Sequence, residues 1–268
     1  MMIEGRGEVG LRILAFGCHP DDIEFMMSGT LFLLKQAGAE IHYMNPANGS
    51  LGTAEYDTET IIKMRREEGK KAASYLGARF HESIVNDLEL IYSFDLLKKA
   101  TAVVREVAPD IMLLLSLEDY MVDHMHAATL GYSAAFARGM TNLMTDPPRT
   151  PISNDIVVYH AMPYGLYDMM NRYHEPDFFI DVETVMDKKE EMLAVHKSQK
   201  NWLDQSQGMN AYVDAMKDIS RELGGKSNTF RYAEGWRKHS HFGFCSKNAR
   251  PLEDALLDYL HINLHKGG

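Results

Sequence analysis

The sequence predicts an α/β fold: a mostly parallel sheet flanked by helices, with C-terminal α/β elaboration. Apolar runs of strand length alternate with segments of helical period through about residue 138, the pattern of βαβ units with right-handed crossovers. Two clusters of histidine and aspartate each follow directly on a strand-like run, where ligands bind in parallel sheets. No internal repeat or low-complexity linker divides the 268 residues, so residues 1–268 are expected to form one domain.

The elements follow in order. "LRILAF" (Leu11–Phe16) reads as a buried strand, and "FMMSGTLFLLKQAG" as a helix stopped at Gly38. "EIHYMNP" is a second strand. A long helix starts near Asp57 or Thr58 and ends at Gly77, and a short strand lies near Arg79 to His81. "SFDLLKKATAVVREVAP" is a helix that Pro109 terminates. The apolar "DIMLLLS" is a strand, and "DHMHAATLGYSAAFARG" returns to helical spacing. The Pro-rich "TDPPRTPIS" (Thr145–Ser153) is a loop. "DIVVYHAM" and "DFFIDV" read as strands and "VMDKKEEMLAVHKSQ" as a helix, with further helices near Asn210 to Leu223 and Leu252 to His261. A strand order of 3-2-1-4-5 would make the first strand and "DIMLLLS" neighbours.

Composition narrows the function classes. The chain is 45% hydrophobic and 25% charged, ordinary for a soluble globule. A formal net charge of -10 argues against nucleic-acid binding, which needs clustered Lys and Arg. Cys18 and Cys245 are too few for a disulfide framework, so a reducing, cytoplasmic compartment is expected. The polar start "MMIEGRGEVG" is unlike a signal peptide, and no apolar run reaches membrane-span length. "IEGR" (Ile3–Arg6) coincides with a protease recognition sequence and is set aside from the fold argument.

The chemistry concentrates in "FGCHPDDIEF" and "EDYMVDHMH". His19 and Asp22, three apart on a turn fixed by Pro20, can converge on one ion. "DH" at Asp123 and His124 offers a third ligand. Two histidines and one carboxylate with an open position are the arrangement of catalytic zinc, although Fe2+ and other divalent metals also suit such a set. Asp21 adjoins the cluster as a general base should. Singly, each stretch is an ordinary polar turn or helix cap; their position at two adjacent strand ends favours the metal. Cys18 reads as a small buried thiol rather than a ligand.

"HPDDIEF" followed by "GTLFLLKQAGAEIH" resembles the opening of the PIG-L/LmbE family of zinc-dependent N-acetyl-sugar deacetylases. "RREE" before "AASYLG", "NDLEL", the "DH" pair, "HKSQ" (His196–Gln199) and "YAEGW" (Tyr232–Trp236) continue the resemblance over about residues 11–242, behind an N-terminal extension of residues 1–10. The resemblance implies a Rossmann-like sheet, zinc on His19, Asp22 and His124, Asp21 as base, and Asp123 orienting its neighbours. Arg65 falls on the family's arginine in the second long helix, where it would face substrate; by itself it reads equally as a solvated charge beside Glu68. The implied reaction removes an N-acyl group, acetyl above all, from an amino-sugar-like substrate. The expected partner is a small N-acetylated sugar or sugar conjugate, with no nucleic acid and no membrane, and the chain is expected to form a homo-oligomer.

One departure stands out. Many members carry HPDH at the second cluster, its first histidine stabilising the oxyanion; here the stretch is "YMVDH", with Met121 in that place. A thioether donates no hydrogen bond, and losing one oxyanion donor costs about 10²–10³ in rate. Tyr120, His126, His160 and His196 are the candidate replacements, with Tyr120 and His196 taken as substrate-binding. Two other readings compete: a non-catalytic or weakly active glycan-binding relative that keeps the metal site, and a nucleotide-binding domain. The second lacks the GxGxxG glycines, and Asp21 argues against the first, since a binding protein needs no base.

Overall fold

The computed structural model describes residues 10–199 and 211–264. Five parallel strands form one half of the sheet: β1 (Arg12–Phe16), β2 (Glu40–Met44), β3 (Arg79–His81), β4 (Ile111–Leu114) and β5 (Val157–Ala161). Antiparallel strands β6 (Phe178–Asp181), β7 (Ala233–Lys238) and β8 (Leu260–Ile262) extend it. Among the described residues the order is β3-β2-β1-β4-β5-β7-β6-β8, so the expected parallel half is present. Helices α1 (Asp22–Met26), α2 (Ser28–Gln36), α3 (Thr58–Tyr75), α4 (Phe94–Val107), α5 (Val122–Ala137), α6 (Met186–Leu193), α7 (Ala211–Ser227) and α8 (Pro251–Ala255) flank it. The apolar runs of β1 and β4 are fully buried because a parallel sheet is covered on both faces. Ile13 to Phe16 lie beside Ile111 to Leu114, so the loops leaving these two strands open into one crevice.

Several elements differ from the expectation. The first helix is two: Met27 (φ -132°, ψ -17°) breaks α1 from α2, and α1 begins three residues early, at Asp22. The helix expected over "VMDKKEEMLAVHKSQ" ends at Leu193 in tighter turns, leaving His196 beyond its end. The segment near Leu252 to His261 is not one helix but a five-residue helix, a 3₁₀ turn and the edge strand β8. Ile3–Arg6 and Asn210 lie outside the described residues. No helix among the described residues is long and apolar enough to cross a membrane.

β7 has no strand-like pattern, since "AEGWRK" carries a glycine and three charges. Its Glu234 is nevertheless buried, because its carboxylate answers three cationic or dipolar donors. Gly29 N and Thr30 N, the free donors of the first turn of α2, reach it at 2.9 and 2.8 Å. Lys189 Nζ on α6 reaches it at 2.5 Å and also donates to Phe25 O at 2.9 Å. Trp236 Nε1 donates to Thr30 Oγ1 at 2.9 Å. A Cβ on Gly29 would meet Val182 Cγ1 at 2.6 Å, which is why a glycine stands at this contact. β7 thus clamps the helices that carry the first cluster.

Glu234→Gln should be strongly destabilising, by about 3–5 kcal/mol, because Lys189 loses its counter-charge in the interior and the amide NH2, replacing one carboxylate oxygen, faces a backbone N–H donor. Urea denaturation measures this; a loss below about 1 kcal/mol would mean that the ion pair does not hold the two halves of the sheet together.

Candidate active site

The first cluster hangs from β1 by a tight turn. Asp22 Oδ2 accepts from His19 N at 2.7 Å and from Cys18 N at 3.2 Å, folding the loop around the carboxylate. Asp21, just before α1, has φ 129° and ψ -23°, a conformation that costs a non-glycine residue on the order of 1–3 kcal/mol. Leu88, whose side chain lines the same cavity, also has a positive φ of 61°. Strain gathers around this crevice.

The second cluster opens α5. His124 Nε2 lies 3.2 Å from Asp22 Oδ1, and its Nδ1 donates to Asp119 Oδ1 at 3.1 Å. That bond fixes the tautomer and turns the Nε2 lone pair toward the Asp22 carboxylate. Two acceptors at that distance repel unless a proton or a cation sits between them. Without a metal the proton wins: burial pulls His124 down, but Asp22 and Asp119 outweigh it and lift the imidazole to about 10. His19 has the same support from Asp123, whose Oδ2 is 3.2 Å from Nε2 and also accepts from Leu88 N at 2.8 Å. His19 Nδ1 lies 3.6 Å from Asp22 Oδ2. One donor atom from each of His19, Asp22 and His124 lies within 4.8 Å of the others, a set that fits a divalent ion. Cys18, His19 and Asp123 form a second such group, but burial pushes the Cys18 thiol up to about 12, which keeps it protonated and a poor ligand.

Asp21 stands beside the donor set. Burial raises its carboxyl, Arg65 and His196 oppose this, and the result is about 6. Arg65 is 2% exposed, with Nη2 3.6 Å from Asp21 Oδ1 and donating to Pro20 O at 2.7 Å. It is not a solvated helix-face charge. Cβ atoms on Gly49 and Gly52 would meet its side chain at 2.4 Å, so the loop after β2 can cover the guanidinium only with glycines there. Tyr212 OH on α7 donates to Asp21 Oδ2.

These residues floor a cavity of about 580 Å³, walled by Phe25, Tyr120, Tyr164, Tyr167 and Leu88. Tyr120 is 50% exposed, with its ring edge-on to His124 at 5.9 Å between centroids, and Met121 also lines the cavity. His196, expected to touch substrate, does not line it. Its ring is fully buried, with Nε2 3.0 Å from Glu24 Oε1, so burial puts it out of substrate's reach. His126 Nδ1 donates to Leu90 O at 2.7 Å and His160 Nδ1 to Leu115 O at 2.8 Å. Neither lines the cavity, which leaves Tyr120 as the remaining replacement donor from the sequence reading.

The sequence reading assigned no role to several residues of the site. Asp119 lies in the same "EDYMVDH" stretch and orients His124 while accepting from Tyr164 N at 2.9 Å. Asp87, in "NDLEL", accepts from Gly49 N at 2.7 Å and Leu51 N at 2.9 Å, pinning the loop over Arg65. Tyr164 and Tyr212 come from distant segments, and no local pattern marks them.

Residues 14–135 match the family model PIG-L, GlcNAc-PI de-N-acetylase. That stretch is similar to the PIG-L family. Both histidine and aspartate clusters fall inside that match. Diacetylchitobiose deacetylase of Thermococcus kodakarensis is 28% identical over 236 residues, covering 84% of this chain and 82% of that protein. 4-Oxalmesaconate hydratase of Pseudomonas putida is 28% identical over 187 residues, 66% of this chain and 69% of that protein. The fold is shared with the solved N,N'-diacetylchitobiose deacetylase of Pyrococcus horikoshii (TM-score 0.69, 23% identity, 86% of this chain and 84% of that one). It is shared equally with the 4-carboxy-2-hydroxymuconate hydratase GalB of Pseudomonas putida KT2440 (TM-score 0.71, 21% identity, 90% of this chain and 100% of that one). Proteins similar to this chain thus carry more than one activity.

Asp119→Ala should weaken divalent-metal affinity by about 10–100-fold, because His124 loses the acceptor that aims Nε2. Titration with Zn2+ and Co2+, with circular dichroism as the check on folding, reads this out. Unchanged affinity in a folded variant would remove His124 from the metal set.

Proposed function

We propose that this chain is a metal-dependent N-deacylase that removes an acetyl group from an amino-sugar-like substrate, with Zn2+ as its metal and Fe2+ the principal alternative. The observation that carries the reading is the donor set of His19, Asp22 and His124 beside the buried Asp21, at the floor of an aromatic-walled cavity. Bound there, a divalent metal supplies a Lewis acid that acidifies water and polarises an amide carbonyl. Asp21 takes a proton from the attacking water and returns it to the departing amine. Arg65 and Tyr212 hold the Asp21 carboxylate toward the cavity, while Asp119 and Asp123 keep the two imidazoles in orientation. The rings of Tyr120, Tyr164 and Phe25 give a sugar apolar faces to lie against, as carbohydrate-sized ligands require of a mostly apolar pocket.

A second reading, hydration of an unsaturated acid, is favoured by the likeness in sequence and in fold to hydratase activity named for a carboxylate substrate. The lining charge weighs against it. Asp21, Asp22, Asp87 and Asp123 face the cavity with Arg65 as the one arginine or lysine among its described lining residues, and Asp168 is answered by Arg172 at 2.8 Å, so even with a doubly charged metal the described lining stays anionic. Such a wall repels a carboxylate and accepts a neutral, hydroxyl-rich substrate.

With Zn2+ added, acetate should be released from N-acetylated amino sugars or their conjugates. Asp21→Asn should retain its metal yet lose at least about 10²-fold in turnover. Hydration of an unsaturated carboxylate with no acetate release would overturn the deacylase reading, and near-normal turnover in Asp21→Asn with full metal content would move the base elsewhere.

Met121→His tests the departure at the second cluster. Tyr120 and Tyr164 already offer hydroxyls in the cavity, so the added imidazole should leave activity flat or lower it. A gain of about tenfold or more, at constant metal content, would show that the site lacks an oxyanion donor.

A further inference from the structure

A second, smaller cavity lies behind Arg65. It measures about 110 Å³ and is bounded by Pro20, Asn45, Ile62, Arg66, Phe80 and Glu82 together with Arg65 itself. That is several times the roughly 10–15 Å³ one water needs, and room for a small organic ion. Arg65 is the partition, since it lines both this cavity and the one at the metal donors. Its guanidinium has five N–H donors. Nη2 serves Pro20 O, while Nε is buried with no hydrogen-bond partner. At the outer rim Arg66 and Glu82 neutralise each other through contacts of 2.7 and 2.5 Å. The smaller cavity is therefore walled by two arginines and one glutamate, whereas the larger is lined by five aspartates.

This contrast matters for the products, and the inference rests on the hydrolytic reading above. Hydrolysis breaks the C–N bond and forms a C–O bond; both protons of the water end on the amine, and the acyl group leaves as a carboxylate. An anion is thus released inside an anionic cavity, where Arg65 is the one arginine or lysine among the described lining residues. We propose that the cavity behind Arg65 is a binding site for small carboxylates and receives the acyl product across the guanidinium. Its volume admits acetate or propionate and excludes a long acyl chain. Arg65 then has two faces: one fixes Asp21, the other draws the carboxylate away from the reacting centre and clears it for the next substrate.

Ile62 lines the smaller cavity and not the larger, so Ile62→Phe fills it without touching the metal donors. The zinc-loaded protein is titrated with 13C-labelled acetate and followed by line broadening, and acetate is tested in parallel as a product inhibitor. Ile62→Phe should weaken acetate binding by about tenfold or more, while Ile62→Val, the conservative control, leaves it unchanged. Metal content and kcat/KM measured without added acetate should stay within about twofold in both variants. Ser83→Val, from another wall of the cavity, serves if the phenylalanine variant does not fold. Equal acetate affinity in wild type and filled variant, or no acetate binding to wild type, would overturn the proposal. Should no amide be hydrolysed, the deacylase reading falls while the acetate titration still decides whether the site exists.

Discussion

Asp22 and His124 meet 3.2 Å apart across the carboxyl ends of β1 and β4, and this contact constrains everything around it. A carboxylate and an imidazole lone pair cannot face each other in the interior without positive charge between them. Asp119 makes the demand strict by holding the His124 proton on the far nitrogen. The surrounding loops supply the rest. Backbone N–H groups of Cys18 and His19 hold one Asp22 oxygen, and Asp123 steadies His19. The strained backbone at Asp21 and Leu88 is tolerated because these bonds over-determine it.

The same crowding of acids sets the chemistry. Among the described residues five aspartates and one arginine line the cavity, a wall that disfavours free anions. Arg65 is pressed under two glycines and lines both cavities. A hydratase in the same fold shows how little of this the backbone dictates. One fold hosts several reactions, and the side chains lining its site choose among them.

Stability and site are coupled through β7. Its Glu234 caps α2 and balances Lys189, and Trp236 bonds Thr30, so the antiparallel half of the sheet fixes α2, which follows directly on the helix that begins at Asp22. "YAEGW" thus earns its place in the chain through packing around the site rather than contact with substrate.

The sequence by itself determined the parallel half of the sheet, the two clusters and their meeting. Continuous apolar runs such as "LRILAF" and "DIMLLLS" specify buried strands, and neighbouring parallel strands must deliver their following loops to one edge. It also showed that Met121 is out of pattern. Only the tertiary structure decided the rest. "AEGWRK" is a buried strand because Lys189 and two amides, remote in sequence, neutralise Glu234, and no local periodicity encodes that. His196 is a buried neighbour of Glu24, and Tyr212 reaches Asp21 from 191 residues away. Arg65 looked like surface because helical spacing reports a face, not what covers it; the loop with Gly49 and Gly52, pinned by Asp87, does the covering. Local patterns record which atoms a segment can bury, while the partners that make burying a charge tolerable are fixed only when distant segments close around it.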